Sequence, residues 1–308
     1  MGYPETATLV EVGPRDGLQN EPGEVSTTVK LDLIDRLAAA GLTAIEAGAF
    51  VSPKWVPQMA DTPEVFRRLE EEGRKAPGVA YAALTPNMKG FEAAMAAEVT
   101  EVAVFGAASE TFSQKNINCS IRESMERFAP IVEAARNRFV RVRGYVSCAL
   151  GCPYEGAIAP EQVAAVAEGM MNLGCAEISF GDTIGVGRPA ETHALWDAVE
   201  RRLPLNACAG HFHDTYGMAI ANIAASLERG VTIFDSAVAG LGGCPYAAGA
   251  SGNVATEDVV YLMDGLGVRT GVDLERLLDA TALISGALGR APASKTATAL
   301  LAKRRAAA

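Results

Sequence analysis

Short apolar, β-branched runs alternate with longer stretches of helical period from one end of the chain to the other. Strands are predicted over 7–13, 44–50, 79–85, 101–107, 140–147, 176–181, 206–213 and 233–239. Between them, segments at 28–40, 87–98, 120–138, 160–173, 189–203, 218–229 and 256–265 carry apolar residues at helical spacing. Ser120 with Glu123 three residues on is a capping-box pattern, and Gly41, Gly174, Gly230 and Gly267 stand where helices should stop.

Strands alternating with longer helices predict parallel βαβ units, and eight such units close a (β/α)8 TIM barrel. The expectation is a single α/β domain over 1–308, with the barrel over about 7–267 and a C-terminal helical extension over about 268–308. In that extension a helix over 274–288 packs across a barrel end, and the Lys- and Ala-rich tail from Lys295 frays. A doubly wound open sheet is the alternative, but no G-x-G-x-x-G follows the first strand. In a barrel, chemistry belongs at the C-terminal ends of the strands and in the loops that follow them.

Composition narrows the function classes. The 308 residues carry 27 Lys plus Arg against 37 Asp plus Glu, a formal charge of −10, with 49% hydrophobic and 21% charged residues. Such a chain folds around a large core. Its acidity argues against nucleic-acid binding, which needs Lys and Arg to neutralise phosphates. No apolar run reaches membrane-spanning length, and the N-terminus has neither signal-peptide nor transit-peptide character, so the expected location is the cytoplasm. Six scattered cysteines without C-x-x-C spacing read as reduced thiols rather than staples or a zinc ribbon.

Two of the three histidines, His211 and His213, end the seventh strand, where alternate residues share a face. They fit a metal site at the barrel mouth, or a pair of satisfied polar residues inside the barrel; His193 lies on a solvated helix face. The first strand ends in Arg15 and Asp16, framed by Gly and Pro: a hard oxygen ligand beside a fixed cation, or a structural ion pair. One Asp and two His leave positions open and suit Mg²⁺, Mn²⁺ or catalytic Zn²⁺. Residues 240–253 hold five glycines and Cys244, a flexible lid with a thiol or a connector with an inert one. Asn253 caps the following helix or lends a carbonyl oxygen, capping being the simpler role. Glu46 and Asp182 end the second and sixth strands, placed for acid–base work or for helix capping.

These residues lie within long strings: EVGPRDGLQNEP from Glu11, FVSPKWVPQMAD from Phe50, KNINCS from Lys115, RGYVSCALGCPYEG from Arg143, GDTIGVG from Gly181, HFHDTYG from His211 and GLGGCPYAAGASGNVATEDVVY from Gly240. With them the chain resembles the hydroxymethylglutaryl-CoA lyases, metal-dependent barrel lyases related to isopropylmalate synthase, over nearly its whole length. The resemblance implies that Asp16, His211, His213 and Asn253 bind a divalent cation, Mg²⁺ or Mn²⁺. It implies that Arg15 faces the thioester enolate, Glu46 orients Arg15, Asp182 joins proton transfer near His211, and Cys244 is the lid thiol that protonates the enolate carbon. Gln19, Asn20, Lys54, Lys115, Asn116 and Ser120 are assigned with Arg15 to the acyl-CoA substrate.

The implied reaction is retro-Claisen cleavage of 3-hydroxy-3-methylglutaryl-CoA to acetoacetate and acetyl-CoA, a step of leucine degradation and ketone-body metabolism, with a homodimer as the family's common assembly. The chain departs from the family where Ala47-Gly48-Ala49 follows Glu46, a place that usually carries Thr and Ser. The lost hydroxyls suggest a related 3-hydroxyacyl-CoA such as citramalyl-CoA as an alternative substrate. A condensing enzyme of the isopropylmalate synthase kind usually adds a long C-terminal extension. A zinc hydrolase would carry H-x-H on the first strand, and a non-enzymatic CoA-binding module would not need the ligand set.

Overall fold

The computed structural model describes residues 2–243 and 251–307. The elements are β1 (Thr8–Glu11), α1 (Thr27–Ala39), β2 (Ala44–Ala49), α2 (Thr62–Glu71), β3 (Ala80–Leu84), α3 (Met88–Ala96), β4 (Glu101–Ala107), α4 (Glu110–Ile117), α5 (Ile121–Arg136) and β5 (Arg141–Ser147). They continue with α6 (Pro160–Leu173), β6 (Glu177–Asp182), α7 (Pro189–Glu200), β7 (Cys208–Phe212), α8 (Ala219–Glu228), β8 (Ile233–Ser236), α9 (Thr256–Leu266), α10 (Leu274–Leu288) and α11 (Lys295–Ala307). The strands pair in parallel in sequence order, and β8 closes on β1 with Thr8 opposite Ile233 and Glu11 opposite Ser236. This is the TIM barrel the alternation predicts.

Helix ends follow side-chain chemistry. Ser120 and Glu123 form the expected capping box at α5. Glycines in left-handed backbone stop α6, α9 and α10, where a Cβ would be strained. Two helices fall outside the predicted segments. In α2 only Thr62, Val65, Phe66 and Leu69 are buried, and apart from Pro63 the rest is charged; α4 spans only 8 residues.

The C-terminal extension differs from expectation in two ways. Helix α10 lies on the flank of the barrel against α1 and α9 rather than across an end, with the Asp273 amide donating to Ala40 and Arg276 to Ala39 at the end of α1. The tail from Lys295 is helical, not frayed. Asp258 accepts from the Ser294 hydroxyl and the Lys295 and Thr296 amides, and Arg304 pairs with Glu275 and Asp279. Those bonds satisfy the helix's orphan N-terminal donors and tie its last turn to α10.

The apolar core lies between sheet and helices, where Ile34, Phe66, Phe91, Ile131, Trp196 and Val259 are fully buried. The barrel's interior is instead polar. Arg143 on β5 reaches Asp235 on β8, and Tyr145 on β5 reaches Glu46 on β2; these strands are not neighbours, so the contacts cross the lumen. The five cysteines among the described residues are buried free thiols. Among the same residues no helix is long and apolar enough to cross a membrane.

Candidate active site

After β1 the chain makes a single π-helical turn over Gly13–Gly17, opened by Pro14. Buried Glu11 fixes it: one carboxylate oxygen accepts the Gly13 and Val238 amides, and the other accepts the Thr256 hydroxyl. Burial pushes this carboxyl up to about 7, partly offset by those hydrogen bonds. The turn thereby aims Arg15 and Asp16 into the barrel mouth.

Arg15 is almost fully buried and held on two sides. Its Nε and Nη2 lie 2.6 Å from Glu46 Oε2, and its Nη1 lies 2.6 Å from Asp16 Oδ1. The Tyr145 ring packs 5.5 Å from the guanidinium carbon, and the Tyr145 hydroxyl donates to Glu46 Oε2 at 3.2 Å. Glu46 therefore holds the Arg15 guanidinium in place.

His211 and His213 project beside this pair with ring centroids 5.4 Å apart. Strand β7 ends at Phe212, one residue short of the prediction. His213 instead bridges Asn253 in an antiparallel contact, flanked by bonds from Asp214 to Gly252 and from Val254 to Phe212. That strip brings Asn253 to the site, where its Nδ2 donates to Asp16 Oδ2 at 2.9 Å. The strip depends on glycine: Gly242 has φ +116°, and a Cβ on Gly252 would lie 2.4 Å from the Gly242 backbone.

Asp16, His211 and His213 each offer one donor atom, all within 4.8 Å of one another. Burial opposes charge on Asp16, but Arg15 and then the histidines overcome it and hold the carboxyl down to about 2. Burial and then neighbouring His211 push His213 down to about 4, leaving a neutral imidazole with a lone pair. The His213 ring bonds the Thr183 backbone, and its Nδ1 has no partner among the described residues. An ionised carboxylate, a neutral His213 imidazole with an orphaned ring nitrogen and the His211 ring beside it, whose proton affinity Asp235 and Asp16 raise against burial, form a donor set that fits a divalent cation.

The cleft above this cluster is lined by Arg15, Asp16, Gln19, Asn20, Asn116, Tyr145, His211 and His213, with Leu84, Phe105 and Phe112 as an apolar wall. Gln19 Oε1 and Glu46 Oε1 are further buried atoms without a partner among the described residues. Other expected residues do not line the cleft. Asp182 spends its carboxylate on the Val186 and Gly187 amides, shaping the loop after β6; burial pushes it up to about 6. Ser120 caps α5. Lys54 and Lys115 are exposed beside the Trp55 and Tyr154 rings rather than in the cleft wall. Cys244 lies outside the described residues.

Ala47, Gly48 and Ala49 do not line the cleft. A Cβ at Gly48 would meet the Thr62 side chain at 2.7 Å, and the Thr62 hydroxyl accepts the Ala49 amide. This stretch packs against Thr62 of α2, behind the site. Sequence reasoning missed Asp235, Arg143 and Tyr145. Their one signal is a polar residue at an inward strand position, Asp235 within Ile-Phe-Asp-Ser and Arg143 and Tyr145 two residues apart in β5.

A 3-hydroxy-3-isohexenylglutaryl-CoA/hydroxy-methylglutaryl-CoA lyase of Pseudomonas aeruginosa is 59% identical over 303 residues, 98% of this chain and 100% of that protein. A crystal structure of hydroxymethylglutaryl-CoA lyase from P. aeruginosa superposes with TM-score 0.95 at 60% identity, covering 98% of this chain and 100% of the other. An HMG-CoA lyase from Acinetobacter baumannii, in complex with coenzyme A and 3-methylmalate, superposes with TM-score 0.90 at 36% identity, covering 96% and 95%. The model of the HMGL-like family matches residues 6–284, and the chain belongs to that family.

Proposed function

We propose that this protein is a hydroxymethylglutaryl-CoA lyase that cleaves 3-hydroxy-3-methylglutaryl-CoA to acetoacetate and acetyl-CoA. The observation that carries the reading is the convergence of Asp16, His211, His213 and Arg15 at one end of a closed barrel. The activity named for the P. aeruginosa relative, at 59% identity over almost the whole chain, supports it.

In the reaction the C3 hydroxyl loses its proton, the C2–C3 bond breaks, and its electron pair moves into the thioester to give an enolate. C3 becomes the ketone of acetoacetate, and the enolate carbon takes a proton. Asp16, His211, His213 and Asn253 would hold Mg²⁺ or Mn²⁺, which when bound supplies Lewis-acid polarisation of the hydroxyl and carboxylate oxygens. Arg15, already fixed by Glu46 and Asp16, presents a preorganised cation for the enolate oxygen. Asp182, with its carboxyl raised by burial, is the proposed proton-transfer partner near His211, and Cys244 the proposed donor to the enolate carbon. Gln19, Asn20 and Asn116, which line the cleft, are proposed to meet the CoA thioester, and the exposed Lys54 and Lys115 to offer positive charge to its phosphates.

The same reading separates two substrates. Because Ala47-Gly48-Ala49 lies behind the cleft wall, kcat/KM should favour 3-hydroxy-3-methylglutaryl-CoA over citramalyl-CoA. Steady-state kinetics on both thioesters check this, and the opposite preference would assign the site to the second substrate.

A further inference from the structure

We propose that Asp235 is a positioning residue, whose buried carboxylate sets the ring orientation and tautomer of His211 so that Nε2 faces the cation. The inference rests on the metal reading of the site given above.

Asp235 sits on β8, 2% exposed, and Oδ2 lies 3.0 Å from His211 Nδ1. The same oxygen accepts the Ser179 hydroxyl at 2.7 Å and Arg143 Nη1 at 3.1 Å, while Oδ1 accepts Arg143 Nη2 at 2.6 Å. A carboxylate opposite a bidentate guanidinium is ionised, and an ionised carboxylate can only accept. The hydrogen between Asp235 and His211 therefore belongs to Nδ1 of the imidazole. A neutral ring with its proton on Nδ1 has its lone pair on Nε2, and Nε2 lies 3.9 Å from Asp16 Oδ2, inside the donor cluster. The other tautomer would point an N–H at the cation, and a flipped ring a C–H.

The carboxylate is itself held rigidly. Arg143 is anchored by Glu177 at 2.6 Å and by the Tyr145 hydroxyl at 2.9 Å, and Tyr145 continues to Glu46 and Arg15. Asp235 thus ties a metal ligand and the Arg15 clamp into one framework. Such outer partners of a ligating histidine typically contribute roughly 10- to 100-fold in metal affinity.

The test compares the unmodified protein with Asp235→Ala, Asp235→Asn and the double variant Arg143→Met/Asp235→Ala. The double variant removes the cation that Asp235→Ala leaves buried and unpaired, a cause of misfolding unrelated to the metal. Mn²⁺ is titrated into each metal-stripped, folded protein and followed by electron paramagnetic resonance. The expected result is affinity lowered roughly 10- to 100-fold in Asp235→Ala and the double variant, with Asp235→Asn, whose amide oxygen can still accept, between them and the parent. Long-range ¹H–¹⁵N spectra of the Mg²⁺ form, simple because the chain has 3 histidines, should show His211 protonated on Nδ1 in the parent and in Asp235→Asn, and a mixture of tautomers in the two variants that carry Asp235→Ala. Mn²⁺ affinity within about threefold of the parent in the folded variants, the range of ordinary context effects, would overturn the proposal. Failure of the unmodified protein to bind Mn²⁺ would instead overturn the metal reading beneath it.

Discussion

Arg15 illustrates how a flexible side chain becomes a fixed charge. Three of its donor positions are spent on Glu46 and Asp16, its face rests on Tyr145, and it is 6% exposed. What remains is a cation that needs no reorganisation when an enolate oxygen forms beside it. We expect Arg15→Gln to lower kcat by about 10²- to 10³-fold while Mn²⁺ affinity stays within a few-fold of the parent, measured by steady-state kinetics and metal titration. Arg15, Asp16, His211 and His213 were legible because neighbours in sequence stay neighbours at a strand end. Asp235 and Tyr145 were not, since their partners His211 and Glu46 lie 24 and 99 residues away and only barrel closure brings them together.

At the scale of elements, the turn directly after β8 is held to α9 by a buried carboxylate rather than by packing alone. Ala239 adopts φ +61°, unfavourable for a residue with a Cβ, and both Glu257 oxygens accept its amide while Thr281 donates to the same carboxylate. Burial raises Glu257 from its usual 4.5 to about 7, so the folded state holds this proton more tightly than the unfolded chain. Its contribution to stability is complete below about 4.5 and is lost as pH rises through about 7, a swing on the order of 3 kcal/mol. Urea denaturation of Glu257→Gln should show a flatter fall in stability between pH 5 and 8 than the parent, and equal slopes would mean Glu257 does not titrate there. None of this is visible in sequence, where Glu257 reads as a first-turn helix acid. The helix α2 and the ordered tail escape pattern reading for a related reason: one shows only a narrow buried stripe, and the other is fixed by Asp258 and Glu275, carboxylates of other helices.

For the whole molecule, the formal charge of −10 describes the surface and little of the site. The lumen carries its own ladder of charges: Arg143 pairs with Glu177 and Asp235, and at the mouth Arg15 pairs with Glu46 and Asp16. The barrel itself was legible from alternation, because every βαβ unit repeats the same periodicity; the polar lumen was not, because it is formed by single residues of separate strands. At its upper end this ladder leaves an ionised Asp16 and two imidazoles converging beside a fixed guanidinium, which is the basis for reading the protein as a cation-dependent carbon–carbon lyase. The most direct test is to incubate the metal-stripped protein with 3-hydroxy-3-methylglutaryl-CoA, with and without added Mg²⁺ or Mn²⁺, and to measure acetoacetate. Acetoacetate formed one-for-one with acetyl-CoA, only when cation is restored, is the expected result. No acetoacetate with cation present, or equal turnover without it, would contradict the assignment.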